Sequence, residues 1–186
     1  MILDIEATSL HGTRSYPIEI AWKSSEGELK SFLINLSAVS DVLDWSDESQ
    51  SIHGIELSES FEQGFHPHDV VRAFMDDYDG QPPYSDGPEY DFYWITQLFK
   101  MAQVKVPFNQ IIPVTDLYIR ELKKNGFSPK DSFELAEQIL ENDVYSMRTH
   151  RALGDVEAVI HGLNVAKSMK PEIKARKDHS YDFGNY

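Results

Sequence analysis

Residues 2–6 read Ile2-Leu3-Asp4-Ile5-Glu6, an apolar run that carries two carboxylates. Because side chains alternate between the two faces of a β-strand, Asp4 and Glu6 point to one face, and Leu3 and Ile5 point to the other. If the strand is buried, the two carboxylates repel each other unless a cation lies between them. Oxygen ligands of this kind favour Mg²⁺ or Mn²⁺. The alternative is an edge strand with its acidic face in water, and this stretch alone does not choose between the two.

The composition is that of one globular domain without thiol chemistry. The chain has 186 residues, of which 41% are apolar and 12% aromatic, enough for one hydrophobic core. It has no cysteine, which excludes disulfides, thiolate zinc sites and cysteine nucleophiles. The sequence shows no targeting segment at its start and no run approaching about 18 apolar residues, so we expect a cytoplasmic protein that does not enter a membrane.

The net charge of −14 bears on the kind of partner that the chain binds. Broad, non-specific binding to duplex nucleic acid requires a basic face that displaces counterions, and this charge argues against it. An enzyme that holds a few nucleotides at a strand end through metal ions remains compatible with an acidic chain.

The rest of the chain predicts a mixed sheet with helices on its faces. Strand-like alternation recurs at 17–22 and 29–36, and short connections predict that these segments form an antiparallel meander with the first strand. Shorter strands are predicted at 82–85 and 111–114. Helices or helical turns are predicted at 39–45, 58–63, 69–78, 89–103, 115–124, 132–140 and 151–168. We therefore expect an α/β domain over residues 1–169 with the first strand in the centre of its sheet, and a polar tail at 170–186.

Two later segments carry carboxylates that could complete a cation site. Asp91 lies at the start of a predicted helix, and Asp155 lies in the first turns of the last one. With Asp4 and Glu6 they could surround two cations about 3.5–4 Å apart, the arrangement used for in-line phosphoryl displacement. On one helix the side chains of His150 and Asp155 would point about 140° apart. We therefore expect His150 at the helix start or in the preceding loop, where a neutral imidazole could accept a proton from water.

Three segments resemble, in order, the motifs of the DEDDh family: Asp4-Ile5-Glu6-Ala7-Thr8, Tyr90-Asp91 and His150-Arg151-Ala152-Leu153-Gly154-Asp155. That family contains 3′→5′ exonucleases with a ribonuclease H-like fold, including proofreading exonucleases, ribonuclease T and oligoribonuclease. The resemblance implies a five-stranded sheet of three antiparallel and then two parallel strands. It implies that His150 is the general base. It also implies that two Mg²⁺ or Mn²⁺ ions are bound by Asp4, Glu6, Asp91 and Asp155.

The same resemblance implies contacts with the 3′ end of single-stranded DNA or RNA. Thr8 would contact the terminal nucleotide, although a short hydroxyl residue in a loop can equally satisfy backbone groups. Ile52-His53-Gly54-Ile55 is similar to a His-Gly-Ile segment of the family, which would place His53 beside the 3′-terminal nucleotide. The sequence does not distinguish DNA from RNA as the substrate, and it leaves open whether the protein forms a homodimer.

One departure from the family pattern lies just before Asp91. Many members carry His-Asn where this chain has Asp86-Gly87. Asp86 could cap the following helix, lie in the outer shell of the metal site, or replace Asp91 as a ligand. We favour Asp91, because an aromatic residue precedes it and Trp94-Ile95 follow at apolar positions of the motif.

Two other functions use the same residues. One is a non-catalytic module that recognises a nucleic-acid end or a partner protein, which the presence of all five catalytic-type residues disfavours. The other is a phosphomonoesterase or a different metal-dependent hydrolase. The remaining histidines show no metal-ligand spacing and are expected at surface or capping positions: His11, His66, His68, His161 and His179.

Overall fold

The computed structural model describes residues 1–10 and 13–171. Within these ranges the strands, in chain order, are β1 (Ile2–Ala7), β2 (Pro17–Lys23), β3 (Leu29–Leu33), β4 (Tyr84–Ser85) and β5 (Ile112–Pro113). They form one sheet in the order β3-β2-β1-β4-β5. The β1–β2 and β2–β3 pairs are antiparallel, whereas β4 is parallel to β1 and β5. The predicted mixed sheet is therefore confirmed, and β1 occupies its centre.

The helices of the described residues surround this sheet. In chain order they are α1 (Asp47–His53), α2 (Leu57–Gln63), α3 (Pro67–Asp77), α4 (Pro88–Met101), α5 (Val114–Lys124), α6 (Pro129–Ile139) and α7 (Ala152–Ser168). A 3₁₀ turn at Ser37–Val39, a π turn at Leu140–Val144 and a second 3₁₀ turn at Tyr145–Met147 join them. None of these helices is long and apolar enough to cross a bilayer.

The alternation of side chains along β1 divides the core into two layers. Leu3 and Ile5 pack in the cluster that α3 and α4 contribute to, whereas Ile2 packs in the cluster formed with α5, α6 and α7. Since Asp4 and Glu6 share the face of Ile2, they point toward the layer that contains α7. The edge-strand alternative is excluded, because β1 has a paired neighbour on each side.

A close contact between α5 and α7 fixes how α7 lies on the sheet. The buried hydroxyl of Tyr118 on α5 donates a hydrogen bond to the carbonyl of Val159 on α7, at 3.0 Å. A Cβ at Gly162 would lie 2.7 Å from that hydroxyl and 2.8 Å from a methyl carbon of Val144. Glycine at this position therefore allows the two helices to approach each other, and α7 carries Asp155 on its first turn.

The helix α1 differs from the sequence-based expectation, which placed helical turns at 39–45. Only a 3₁₀ turn forms near there, and α1 begins at Asp47. Its N-cap is Ser46, whose side chain accepts a hydrogen bond from the backbone N–H of Ser49. Within α1 only Ser49 and His53 are buried, so the helix has no apolar period by which the sequence could predict it.

Three predicted boundaries also shift. β3 ends at Leu33 because Ile34 instead forms an isolated parallel bridge with Phe65. α5 follows β5 without a connecting residue and begins at Val114. α6 begins at Pro129 rather than at Ser132, since the side chain of Ser128 accepts a hydrogen bond from the N–H of Asp131 as the N-cap. Of the predicted tail, residues 172–186 lie outside the described residues, as do His11 and His179.

Candidate metal centre

Five carboxylates meet at the carboxyl end of β1, in two groups that share one member. Ligand atoms of Asp4, Glu6 and Asp155 lie within 4.8 Å of one another, and those of Asp4, Asp86 and Asp91 form a second group within the same distance. The structure thus brings together the four carboxylates that the sequence singled out. It adds Asp86 as a fifth beside Asp91 rather than in its place.

The topology of the sheet explains this convergence. Asp4 and Glu6 alternate with apolar residues on β1, and Asp86 follows β4 directly. Because β4 runs parallel to β1, the chain leaves β4 at the same edge of the sheet, and Asp91 lies there in the first turn of α4. Asp155 occupies the first turn of α7. Both helices direct their N-termini toward the carboxylates, which is the favourable end of a helix dipole for negative charge.

The loop before α7 holds Asp155 and presents His150. The backbone N–H of Thr149 donates a hydrogen bond to Oδ1 of Asp155 at 2.8 Å. A Cβ at Gly154 would overlap the hydroxyl of Thr149, so glycine leaves room for this loop. His150 has a φ of 52°, in the left-handed region, and its exposed side chain lines the same cavity as the carboxylates. The predicted loop position of His150 is therefore confirmed.

Glu19 on β2 attaches the start of α7 to the sheet, and the sequence analysis missed it. Its side chain is opposite Glu6 in the strand pairing and is 6% exposed. It accepts hydrogen bonds from Nε and Nη2 of Arg151, at 3.0 and 2.7 Å, and from the N–H of Ala152 at 3.0 Å. Arg151 itself provides no side-chain cap for α7. A carboxylate within an otherwise apolar strand was the signal that could have identified this residue.

Burial and mutual repulsion make these carboxylates difficult to ionise. Burial, followed by the charges of Asp91 and Asp86, raises the pKa of Asp4 well above its usual range. Burial and the charge of Asp86 do the same to the pKa of Asp91. Burial and the charge of Asp155 raise the pKa of Glu6 to about 7. Such groups favour a bound cation, because a cation offsets the cost of ionising all of them together.

One protein cation already lies among these carboxylates. Nη2 of Arg148 donates to Oδ2 of Asp86 in an ion pair, and the guanidinium carbon of Arg148 lies 4.4 Å from the ring centroid of Tyr145. Burial alone would lower the pKa of Arg148, but the Asp86 carboxylate raises it overall. Asp86 is not the helix cap that was one alternative, since Gly87 occupies the N-cap position of α4.

His53 lies at the wall of the cavity, whereas Thr8 does not line it. His53 is 4% exposed, and its Nδ1 accepts a hydrogen bond from the N–H of Ile55, which leaves the proton on Nε2. Burial and the charge of Arg151 lower the pKa of His53, so the neutral form is favoured. Thr8 is fully buried and its hydroxyl oxygen accepts a hydrogen bond from the N–H of Tyr16, which is the loop role considered for it.

Apolar side chains form the rim of the cavity, whose volume is about 240 Å³. Tyr90 is 55% exposed and stacks on Trp94 with a centroid distance of 5.7 Å. Trp94 is buried and donates from Nε1 to the hydroxyl of Ser15, so Tyr90 is the ring that a ligand can reach. Leu10 and Ile52 are exposed on the same lining. The cavity therefore combines an acidic floor with an apolar rim.

The donor set fits hard divalent cations. Both groups consist of carboxylate oxygens alone, the ligands that Mg²⁺ and Mn²⁺ prefer over sulfur or several imidazoles. Two groups that share Asp4 would hold two cations side by side, as in two-metal phosphoryl-transfer sites. The chemistry that this arrangement supports is the displacement of an oxygen at phosphorus.

Comparison with known proteins identifies the fold. No family model matches the chain, and no curated protein matches its sequence. Among solved structures, the chain is similar to E. coli ExoI in the zinc-ion-bound form of its complex with ssDNA, with a TM-score of 0.58 and 18% identity. The similarity covers 89% of this chain and 39% of the ExoI chain, so this chain spans less than half the length of that protein. The likeness confirms the predicted ribonuclease H-like fold.

We predict that Glu19→Gln loosens the attachment of α7. The neutral amide is a weaker acceptor for Arg151 and for the N–H of Ala152, and its NH₂ group would face donors. The free energy of unfolding should fall by about 1–3 kcal/mol, the scale of hydrogen bonds to charged groups. Urea unfolding measures this change. Glu157→Gln, at an exposed position of α7, is the control and should change stability by less than about 0.5 kcal/mol. Equal stability of both variants would contradict the role of Glu19.

We also predict that the stability of the metal-free protein falls as the pH rises. The folded chain retains a proton on Glu6 up to about pH 7, whereas the ordinary pKa is 4.5, so the folded state binds more protons than the unfolded state in this window. The melting temperature should drop by roughly 5–10 °C between pH 4.5 and 7, given the usual size of such linkage. Thermal denaturation in the presence of a chelator measures it.

Divalent cations should reverse that trend, because they bind the ionised carboxylates. Mg²⁺ or Mn²⁺ should raise the melting temperature more at pH 7.5 than at pH 5. Glu6→Gln should flatten the pH dependence of the metal-free protein, while Glu157→Gln should leave it unchanged. A metal-free protein that is most stable above pH 7 would contradict the electrostatics described for this site.

Proposed function

We propose that this chain is a metal-dependent 3′→5′ exonuclease that hydrolyses phosphodiester bonds at single-stranded DNA or RNA 3′ ends. The observation that carries the proposal is the joining of two oxygen-ligand groups through Asp4, with the imidazole of His150 at the same cavity. The ribonuclease H-like fold, shared with a protein solved in complex with ssDNA, supports a nucleic-acid substrate.

The carboxylates hold two divalent cations, Mg²⁺ or Mn²⁺. Asp4, Glu6 and Asp155 provide one set of oxygens, and Asp4, Asp86 and Asp91 provide the other. When bound, the cations supply Lewis-acid stabilisation of charge at phosphorus and lower the pKa of water. The site is rigid on its sheet side, because Asp4 and Glu6 belong to the central strand and Asp155 accepts a hydrogen bond from Thr149.

His150 acts as the general base. Its side chain is exposed at the cavity, so it can reach a water that approaches the scissile phosphorus from solvent. The water oxygen bonds to phosphorus as its proton passes to the imidazole, the bond from phosphorus to the 3′ oxygen of the preceding nucleotide breaks, and that oxygen takes up a proton from solvent. His53, which is neutral and almost fully buried, forms part of the cavity wall beside the terminal nucleotide, while the exposed Tyr90 at the rim offers a face for base stacking.

The small cavity explains how a chain of strongly negative net charge could still act on the end of a nucleic-acid strand. A net charge of −14 opposes contact with a long duplex, whereas a cavity of about 240 Å³ accommodates only the end of a strand. Specificity for an end then comes from the limited volume of the cavity and not from a basic track along the nucleic acid.

The proposal predicts shortening of a single-stranded oligonucleotide from its 3′ end. A 5′-labelled oligonucleotide with Mg²⁺ or Mn²⁺ should give a ladder of products, and a chelator should abolish it. Asp155→Asn keeps an oxygen for the Thr149 hydrogen bond but removes the charge, and should lower the rate by about 10³-fold or more. Glu157→Gln, an exposed carboxylate on the same helix, is the matched control. Parallel DNA and RNA oligonucleotides determine the preferred sugar.

The outcomes separate the alternatives. Tight binding of the oligonucleotide without cleavage would instead indicate a non-catalytic module. Hydrolysis of p-nitrophenyl phosphate but not of bis(p-nitrophenyl) phosphate would indicate a phosphomonoesterase. Full activity of Asp155→Asn would overturn the assignment of the site.

His150→Asn should lower the cleavage rate by about 10²–10⁴-fold, the usual contribution of a general base. Asparagine tolerates the left-handed backbone at this position, so the loop and the melting temperature should be preserved. His161→Asn, an exposed histidine of α7, is the control and should retain full activity. A rate unchanged in His150→Asn would exclude His150 as the base.

A further inference from the structure

Arg148 lines the same cavity as the carboxylates. It is paired with Asp86, whose side chain is 4% exposed, while that of Arg148 is 31% exposed. The ion pair is therefore largely shielded from water, where direct contact of opposite charges is strongest. The family resemblance does not imply this pair, since Asp86 stands where many members carry histidine.

The pair makes the two groups of carboxylates unequal. Asp86 belongs to only one of them, the group formed with Asp4 and Asp91. In the described part of the chain, no lysine or arginine forms an ion pair with Asp4, Glu6 or Asp155. The carboxylates of one cation position thus have no ion-pair partner among the described lysines and arginines, whereas the other position has a ligand that is already bound to a protein cation.

We propose that Arg148 occupies the second cation position of the free protein and transfers to the substrate phosphate when the second divalent cation binds. This inference rests on the two-cation site proposed above. It makes Arg148 a substrate-binding residue that couples the phosphate to the second cation. Because coupling is reciprocal, each of these two ligands strengthens the binding of the other.

The surroundings of Arg148 suit such a transfer. Its contact with the ring of Tyr145 does not involve Asp86 and can persist after Asp86 is released. Nε of Arg148 is buried and has no hydrogen-bond partner among the described residues, so Asp86 does not satisfy all the donors of the guanidinium. A phosphate offers several oxygens and can accept two parallel hydrogen bonds from the planar guanidinium.

Calorimetric titration of the metal-stripped protein with Mn²⁺ tests the proposal. The wild-type protein should bind one ion at least about tenfold more tightly than the second, the scale of one hydrogen bond to a charged group. Thymidine 5′-monophosphate, used as a phosphate probe, should increase the affinity for the second ion by about tenfold. Paramagnetic resonance should then show the coupled signal of two neighbouring Mn²⁺ ions.

Arg148→Gln should tighten the binding of the second ion by about tenfold without the nucleotide, and should weaken the effect of the nucleotide on that binding. Arg72→Gln is the matched control, since Arg72 also pairs with an aspartate, Asp69, but lies on α3 outside the cavity lining. If Arg148→Gln does not fold, Asp86→Asn provides a second test and should lose the second ion while keeping the first.

Two equally tight ions in the wild-type protein, or an unchanged second ion in Arg148→Gln, would overturn the role of Arg148 and leave the exonuclease proposal intact. Retention of both ions by Asp86→Asn would overturn it as well. No Mn²⁺ binding to the wild-type protein would overturn the metal site and both proposals. Two ions of unequal affinity, with the second strengthened by the nucleotide, would support the role of Arg148. If oligonucleotide cleavage is then absent, only the exonuclease proposal is contradicted.

Discussion

The repulsion between carboxylates at the buried end of β1 constrains the rest of the structure. Ionising Asp4 and Glu6 on a central strand costs free energy, because burial and the neighbouring acids raise the pKa values of both. The fold concentrates this unfavourable charge instead of dispersing it, because the parallel strand β4 and the helices α4 and α7 bring three further carboxylates to the same edge. A chain selected for stability alone would place apolar residues there, and the clustered carboxylates could instead hold a cation.

Two arginines on either side of His150 oppose this charge in different ways. Arg151 binds Glu19 through two hydrogen bonds and thereby fixes the start of α7 to β2. Arg148 contacts Asp86 inside the cavity and keeps an unsatisfied donor among the described residues. The loop is thus held firmly at the end next to α7, while its other end depends on a pair that a competing cation can break. His150 lies between these ends, with a left-handed backbone that directs it to the cavity.

The sequence predicted those parts of the structure that depend on local periodicity. The alternation in β1 follows from apolar spacing, as does the burial of Val156, Val159 and Ala166 in α7, so both elements were found with small errors at their ends. The polar helix α1 was missed because its stability comes from its Ser46 cap and not from an apolar face. Glu19 and Asp86 act through partners more than 60 residues away, Arg151 and Arg148, and no local pattern reveals such pairs. The sequence could therefore predict the carboxylates of the site, but not the arginines that pair with Glu19 and Asp86.

The positive charge of Arg148 explains how the site accommodates Asp86 as a fifth carboxylate. Four ionised carboxylates and two divalent cations together carry no net charge, and Asp86 with Arg148 adds a neutral pair. Binding of the second divalent cation beside Asp86 adds its positive charge to the site and frees the guanidinium of Arg148 at the cavity. A phosphodiester brings one negative charge, which the freed guanidinium can neutralise at short range. In the proposed exchange, Asp86 therefore lets positive charge move toward the phosphate as it enters, within a chain whose overall charge repels it.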